Sequence, residues 1–383
     1  MSFLRKIFYS IPGLPWLYHF SWSFLGAVVY SFPSKDIFVI GITGTKGKTT
    51  VIELLNHILE VAGEKTAVLS SIKIKVGNKE DKNKTETTMP GRFFIQRFLR
   101  QAVKADCRYA IIEVTSEGIS ANRHRFIKWD VVGLINLAPE HIEAHGSFEK
   151  YKEAKLELFK IAKKLCFINK DDKHAEEFER VAQGRVVWFR KSELKSKLMG
   201  EFNRYNVGMA EVIAKELGVS EKNIVKAILE FSGIPGRMEL VQKEPFAVIV
   251  DYAHTPDSLR AVYESLASKY KKIICVLGSA GGGRDKWKRV EMGKIAAEYG
   301  DEIILTNEDS YNEEPEDIIE EIAQGCPKAQ KIVDREEAIK TAINLAQPGD
   351  VVIITGKGSE NSIHIKGGKV IDWSDKETVL KNL

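Results

Sequence analysis

Short apolar runs alternate with helix-period segments along most of the chain. Ile37–Ile40 is followed by GITGTKGKTT at 41–50, and Val51, Leu54, Leu55, Ile58 and Leu59 then recur at i, i+3, i+4, i+7 spacing. This predicts a strand, a glycine-rich turn and an amphipathic helix. Apolar runs at Thr66–Ser70, Tyr109–Val114, Val131–Leu137 and Leu165–Ile168, with helical patterns between several of them, predict a mostly parallel sheet covered by helices. Asn203–Leu217 and Glu221–Phe231 read as a helix pair that closes this unit, and Gly233-Ile234-Pro235-Gly236 breaks it. A second α/β alternation follows, with strands at Ala247–Val250, Ile273–Leu277, Glu302–Thr306 and Val351–Thr355 and helices near 256–269, 287–299, 315–324 and 335–346. The lysine-rich stretch Lys79–Lys84 reads as a solvated loop.

At 383 residues, 29% charged and 44% apolar, the chain has the makings of two or three soluble globular domains. A net charge of +4 gives no case for a nucleic-acid partner. Cys107, Cys166, Cys275 and Cys326 are far apart, form no metal or disulfide framework and suit a reducing cytoplasm. The start of the chain is different in kind. From Ile7 to Ser34 there is no acidic or basic side chain except His19, and the run carries Trp16, Tyr18, Phe20, Trp22, Phe24, Tyr30 and Phe32. It fits packing against the protein's own domain or a partner, contact with a membrane surface, or a span shortened by Pro12, Gly13 and Pro15.

The chemistry begins at the glycine-rich turn. Gly41, Gly44 and Gly47 with Lys48-Thr49 form a variant of the phosphate-binding loop, with Ile42 where the usual pattern has glycine. Glycines let backbone N–H groups curl around an anion, the lysine adds a mobile charge, and the threonine hydroxyl can coordinate Mg²⁺. Glu113 ends an apolar strand, where an open parallel sheet presents ligand groups, and a carboxylate there suits Mg²⁺ on a phosphate. Glu140, His141, Glu143 and His145 follow the end of another strand in a spacing that matches no zinc pattern. Lys155 lies on the apolar-patterned helix beyond them and by itself reads as an exposed lysine.

The ordered set GITGTKGKTT, TTMPG (87–91), EVTSEGISANRHR (113–125), INLAPEHIEAHGS (135–147), YKEAKLELF (151–159), GEFNRYN (200–206), IPGRME (234–239), DYAHTP (251–256), GSAGGGRDKWKR (278–289) and GKGSE (356–360) resembles the Mur ligase superfamily, nearest to its MurE type, over residues 37–383. The apolar aromatic segment over 1–36 lies outside it, and the resemblance implies a P-loop central α/β domain with a mostly parallel sheet over 37–234 and a Rossmann-like α/β domain over 235–383. It also implies ATP-dependent amide-bond synthesis in peptidoglycan precursor assembly. An acceptor carboxylate takes the γ-phosphoryl group of ATP, and the amine of an incoming amino acid then displaces phosphate. Both steps build negative charge and call for Mg²⁺ and cations rather than a protein nucleophile.

By the same resemblance Gly44, Thr45, Lys46, Gly47, Lys48, Thr49 and Thr50 hold the ATP phosphates, and Thr49 with Glu113 holds one Mg²⁺. His141 helps to hold a second, served also by Lys155 as the carbamate formed with CO₂. Asn206 matches a residue that contacts adenine, while Arg237, Asp251 and His254 match ATP-binding positions of the C-terminal domain. Thr87, Thr88, Thr115, Ser116 and Arg123 match positions for the muramyl-peptide substrate. Arg284, Glu308, Asp309, Gly356 and Glu360 fall where the amino-acid substrate is selected.

Three departures stand against this background. Only about 36 residues precede the first strand, so the domain that grips UDP in MurE enzymes has no counterpart in them. Glu308-Asp309-Ser310-Tyr311 stands where diaminopimelate-adding enzymes carry Asp-Asn-Pro-Arg, and without that arginine the second carboxylate of diaminopimelate loses its partner. The acidic pair suits an ammonium group instead, as in lysine or ornithine. Ser359 and Glu117 each replace a usual histidine. Besides a cytoplasmic MurE-like ligase, the chain fits a MurT-like ligase that acts with an amidase partner on a lipid-linked precursor, which the aromatic start would help to approach. A further alternative is an idle nucleotide-binding scaffold at the membrane, which the joint presence of Lys48, Thr49, Glu113, His141 and Lys155 disfavours.

Overall fold

A computed structural model describes residue 11 and residues 13–383, apart from 86, 141, 284 and 285. The chain forms two compact units, one of residues up to Lys197 with Asn203–Phe231, the other of Leu198–Phe202 with Ser232–Leu383.

In the first unit the helix α1 (Leu14–Val29) precedes the strand β1 (Phe38–Thr43), the loop 44–47 and α2 (Lys48–Val61). Then come β2 (Thr66–Leu69), β3 (Lys73–Val76), β4 (Lys79–Lys82), α3 (Arg92–Lys104), β5 (Tyr109–Glu113), α4 (Ser116–Ser120) and β6 (Val131–Leu134). The unit continues through α5 (Ile142–His145), α6 (Phe148–Phe159), β7 (Leu165–Asn169), α7 (Ala175–Val181), β8 (Arg185–Phe189), α8 (Glu201–Glu216) and α9 (Glu221–Glu230). Among the described residues its sheet is eight-stranded in the order β4-β3-β2-β5-β1-β6-β7-β8. The strands from β2 to β8 in that order are parallel, and β3 and β4 add an antiparallel edge. Connections run to one side of β1 first and to the other side later, so the loop after β1 occupies the switch point where open parallel sheets bind ligands. Gly41 is required inside β1, because a Cβ there would lie 2.7 Å from the ring of buried Trp129.

One feature differs from the sequence reading, and one selects among its alternatives. Lys79–Lys82 is an exposed strand rather than a loop, joined to β3 by Gly77-Asn78 with Gly77 at φ 58. Its run of charges hid it, but Glu80 lies opposite Lys75 in the ladder and pairs diagonally with Lys73 at 3.2 Å, so the charges pair between strands. The aromatic start folds onto its own unit as α1, against α3. Ser23, Gly26 and Ala27 face inward, Trp22 meets Phe93 edge-on at 5.5 Å, and Phe20 and Phe24 both meet Phe126. Trp16, Leu17, Tyr18, Trp22, Phe24 and Val29 remain roughly half exposed. No helix among the described residues is long and apolar enough to cross a membrane.

The second unit holds β9 (Glu239–Gln242), β10 (Ala247–Val250), α10 (Pro256–Ala267), β11 (Ile273–Leu277), α11 (Trp287–Tyr299), β12 (Glu302–Leu305) and α12 (Pro315–Ala323). It ends with β13 (Gln330–Lys331), α13 (Arg335–Leu345), β14 (Val351–Ile354), the hairpin β15 (Ser362–Ile365) and β16 (Lys369–Asp372), and α14 (Asp375–Asn382). Its main sheet runs β13-β12-β11-β14-β10-β9, parallel except for β9. The strands β10, β11 and β14 are buried on both faces, which is why they read as continuous apolar runs.

Candidate active site

The loop 44–47 is shaped by its glycines and by one asparagine. Gly47 sits at φ 86 and caps α2 without a side chain, so the first-turn N–H groups of that helix are open to an anion. A Cβ on Gly47 would collide with the Asn206 amide, which places Asn206, itself buried and bonded to Asn203 at 2.7 Å, directly on the loop. Asn136 accepts from the Thr45 and Lys46 N–H groups at 3.1 and 2.9 Å and donates to the Lys46 carbonyl. Sequence reasoning quoted the segment that contains Asn136 without assigning it a task. Its signal was a polar residue two positions beyond an apolar strand that ends beside the glycine loop.

Lys48 is folded back, its ammonium donating to the Gly44 and Thr45 carbonyls at 3.0 Å each. Thr49 donates to Glu113 Oε2 at 3.1 Å, and the same oxygen accepts from the backbone and hydroxyl of Ser71. Thr88 joins this group through a 3.0 Å contact with Ser71, while Thr87 is exposed and Thr50 is buried in α2. Lys46 forms an ion pair with Glu140 at 2.7 Å. Lys155, expected by itself to be exposed, is 1% exposed and donates to Thr43 Oγ1 and the Gly44 carbonyl. Burial, aided by the nearby Lys48 charge, pushes its pKa well below the ordinary lysine value. Its amine is thereby shifted toward the neutral, nucleophilic form.

Beside this centre Thr115 caps α4, Ser116 lies 3.1 Å from His145 Nε2, and Arg123 donates to the Met89 carbonyl. His141 and Arg284 lie outside the described residues.

In the second unit Arg237 stacks on Tyr252, 3.9 Å from the ring centre, with its Nη1 buried and unpartnered. Asp251 accepts from the Met238 and Ala253 N–H groups, and His254 Nδ1 lies 2.7 Å from the Tyr252 carbonyl. Glu308 and Asp309 do not act as an equivalent acidic pair. Asp309 is neutralised by buried Lys357 at 2.8 Å, whereas Glu308 Oε2 is buried without a hydrogen-bond partner beside Gly356 at φ 108. Burial pushes the Glu308 carboxyl above its ordinary value. Glu360 bonds Lys357 and Tyr252. Buried Arg335 holds Asp375 through two 2.8 Å contacts and donates to the Thr355 and Asn307 carbonyls, which fixes the start of the acidic loop. Neither Lys357 nor Arg335 was singled out from sequence, because their partners are distant along the chain.

A glycine loop at the switch point of a parallel sheet, with Lys48, Thr49 and Glu113 converging beside it, defines a nucleoside-triphosphate-using enzyme of the P-loop α/β class. The Mur ligase middle domain matches residues 42–193, and the Mur ligase glutamate ligase domain matches residues 236–358. The UDP-N-acetylmuramoyl-L-alanyl-D-glutamate–2,6-diaminopimelate ligase of Syntrophomonas wolfei is 36% identical, over 94% of this chain and 81% of that protein. A solved structure of a ligase with the same name is 28% identical with a TM-score of 0.62, covering 91% of this chain and 78% of that one. The bifunctional folylpolyglutamate synthase/dihydrofolate synthase from Yersinia pestis, complexed with AMPPNP and Mn, is 17% identical with a TM-score of 0.71 over 88% of this chain and 90% of that one, a likeness of fold. The chain belongs to the Mur ligase family. It is an ATP-dependent carbon–nitrogen ligase of the MurE type.

Proposed function

We propose that the enzyme adds an amino acid with a cationic side chain to the free carboxylate of a muramyl peptide, in the cytoplasm, through an acyl phosphate. The convergence of Thr49, Glu113 and buried Lys155 on the glycine loop carries this reading. Residues 37–234 and 235–383 serve as its central and C-terminal catalytic domains. The Thr49 hydroxyl and Glu113 carboxylate are an all-oxygen set that fits Mg²⁺ and would hold one ion, while His141 would help to hold a second. Bound there, the metal supplies charge stabilisation to the phosphoryl group in transfer. Gly44, Thr45, Lys46, Gly47 and Thr50 shape the phosphate cradle, and Lys48 leaves the loop carbonyls to meet the β/γ-phosphates. Asn206 meets adenine, and Arg237, Asp251 and His254 are the ATP contacts of the second unit.

Thr87, Thr88, Thr115, Ser116 and Arg123 orient the acceptor so that its carboxylate oxygen attacks the γ-phosphorus and ADP departs. The amino-acid amine then attacks the acyl carbon, phosphate leaves and the amine gives up a proton. The neutral Lys155 amine adds to CO₂ with release of a proton, and the resulting carbamate is a carboxylate-like ligand in a position where an ammonium would repel a metal. For the amino acid, Arg284, Gly356 and Glu360 contribute contacts, Glu308 receives the side-chain ammonium, and Asp309, paired with Lys357, holds the loop. The test is phosphate release and product mass with ATP, Mg²⁺, bicarbonate, UDP-linked or lipid-linked muramyl dipeptide, and single amino acids. Release that needs no amino acid, or none with any acceptor, would exclude the reading.

A second reading places the acceptor on a lipid at the membrane surface. It is favoured by Trp16, Tyr18, Trp22 and Phe24, exposed on a helix without charged residues. Preference for the lipid-linked acceptor, with binding of the protein to phosphatidylglycerol vesicles, would support it.

A further inference from the structure

The first helix is fixed to the loop that leads into the acceptor residues. Ser23 Oγ donates to the Asn122 carbonyl at 2.7 Å, and Asn122 Nδ2 donates to the Trp16 carbonyl at 3.3 Å. Arg92 ties the same elements together, its Nε donating to the Ala121 carbonyl at 3.1 Å and its Nη2 meeting His19 Nδ1. These are specific polar bonds from one helix to one loop, in addition to the aromatic packing described above. Between them and α4 lies a groove of about 480 Å³ whose walls include Trp16, His19, Glu117, Ser120 and His145.

The groove is continuous with the acceptor residues. Glu117 and Ser120 stand on α4, which begins at Ser116, and His145 is the residue that contacts Ser116. Arg123 directly follows the pinned Asn122, and its Nε is buried without a partner. No residue of α1 takes part in the proposed reaction, yet α1 supplies the groove with its aromatic wall.

The lining has a recognisable chemistry. The Trp16 indole is half exposed and is backed on one side by Phe20, with ring centres 5.0 Å apart and planes at 18°, so its other face is held ready. Burial, with the adjacent Arg92 charge, lowers the His19 pKa to about 4, so the ring is neutral at physiological pH. Because Arg92 donates to Nδ1, the ring proton belongs on Nε2, which makes that nitrogen a donor. A flat apolar ring beside a neutral donor, a hydroxyl and a carboxylate suits a hydroxylated pyranose, with its C–H face on the indole and its hydroxyl and amide groups on the polar side chains.

We propose that α1 is the outer wall of the acceptor site and that Trp16 and His19 bind the amino sugar of the acceptor. This rests on the acceptor being a muramyl conjugate and assigns the contacts that read its sugar.

The test compares N-acetylmuramoyl-L-alanyl-D-glutamate with bare L-alanyl-D-glutamate, by calorimetric binding and by initial rates with saturating ATP and amino acid. The wild type should bind the sugar-bearing acceptor at least tenfold more tightly. Trp16→Ala and His19→Ala should each raise KM and Kd for that acceptor about tenfold, while values for the bare dipeptide and for ATP stay within twofold. Val29→Ser, on the same helix away from the groove, should match the wild type throughout. Equal losses on both acceptors would make the helix a structural brace and overturn the proposal, as would no loss on either. Trp16-dependent binding without phosphate release would keep the sugar site and remove the proposed reaction. A wild type that binds neither compound would remove both.

Discussion

The glycine loop of the first unit and the acidic loop of the second, the two loops assigned to ligands in the proposed reaction, are held in place differently. Residues 44–47 are held by their own backbone geometry and by Asn136, whose side chain fastens Thr45 and Lys46. Residues 307–311 are held by charges from elsewhere in the chain, Lys357 on Asp309 and the Arg335–Asp375 pair beneath Asn307. A contiguous turn of this kind keeps its chemistry wherever its few residues are kept. A loop shaped by remote ion pairs can change what it selects through substitutions that never touch the ligand. The structure has the first region with Lys48 folded back on the Gly44 and Thr45 carbonyls and the second with Glu308 Oε2 buried without a hydrogen-bond partner and Tyr311 stacked on His364.

The largest expected effect lies beside the glycine loop. Lys155→Ala should lower phosphate release by about 10³-fold with an unchanged melting temperature, and small carboxylic acids should restore part of it. Unchanged activity would remove the carbamate. Next is Arg335→Met, which leaves Asp375 buried and unpaired and should cost about 3–5 kcal/mol in denaturant unfolding. A loss below about 1 kcal/mol would show that remote charges do not hold the acidic loop. Asn136→Ala strands two N–H groups, and a rise of roughly tenfold in KM for ATP, about 1–2 kcal/mol, is expected. If only stability changed, the asparagine would be a fold residue alone.

A last effect is on pH dependence, where the two units respond with opposite signs. Burial lowers His124 in the first unit to about 3 from 6.5. Its unfolded form therefore takes up a proton first, and the stability it contributes above pH 6.5 is lost as pH falls toward 3. Glu308 in the second unit is raised by burial, so its contribution is present below its ordinary pKa and lost as pH rises through the raised one. Between pH 7 and 4.5, His124→Leu should lose about 2 kcal/mol less than the wild type. Glu308→Gln should gain relative to the wild type as pH rises above 4.5. Parallel shifts in the two variants would erase the contrast.

How much of this was legible follows the same division. Ala247–Val250 and Ile273–Leu277 were readable to the residue, since buried parallel strands announce themselves as continuous apolar runs. Val131–Leu137 overran the strand, which ends at Leu134, because Ile135 and Leu137 are apolar yet belong, with Asn136, to the turn that fastens the glycine loop. Edge strand Lys79–Lys82 was missed because its faces are both polar. In the site, the loop 41–50 was visible as one string of residues. The burial of Lys155 and the neutralisation of Asp309 were not, because each depends on atoms brought together from positions far apart, Thr43 and Gly44 in one case and Lys357 in the other.

The most direct measurement is the ratio of kcat/KM for lysine or ornithine to that for meso-diaminopimelate, with one muramyl-dipeptide acceptor and saturating ATP and Mg²⁺. The account predicts a ratio well above tenfold in favour of the singly carboxylated diamine, falling toward one in Glu308→Gln while KM for ATP is unchanged. A preference for diaminopimelate, or a ratio indifferent to Glu308, would contradict it.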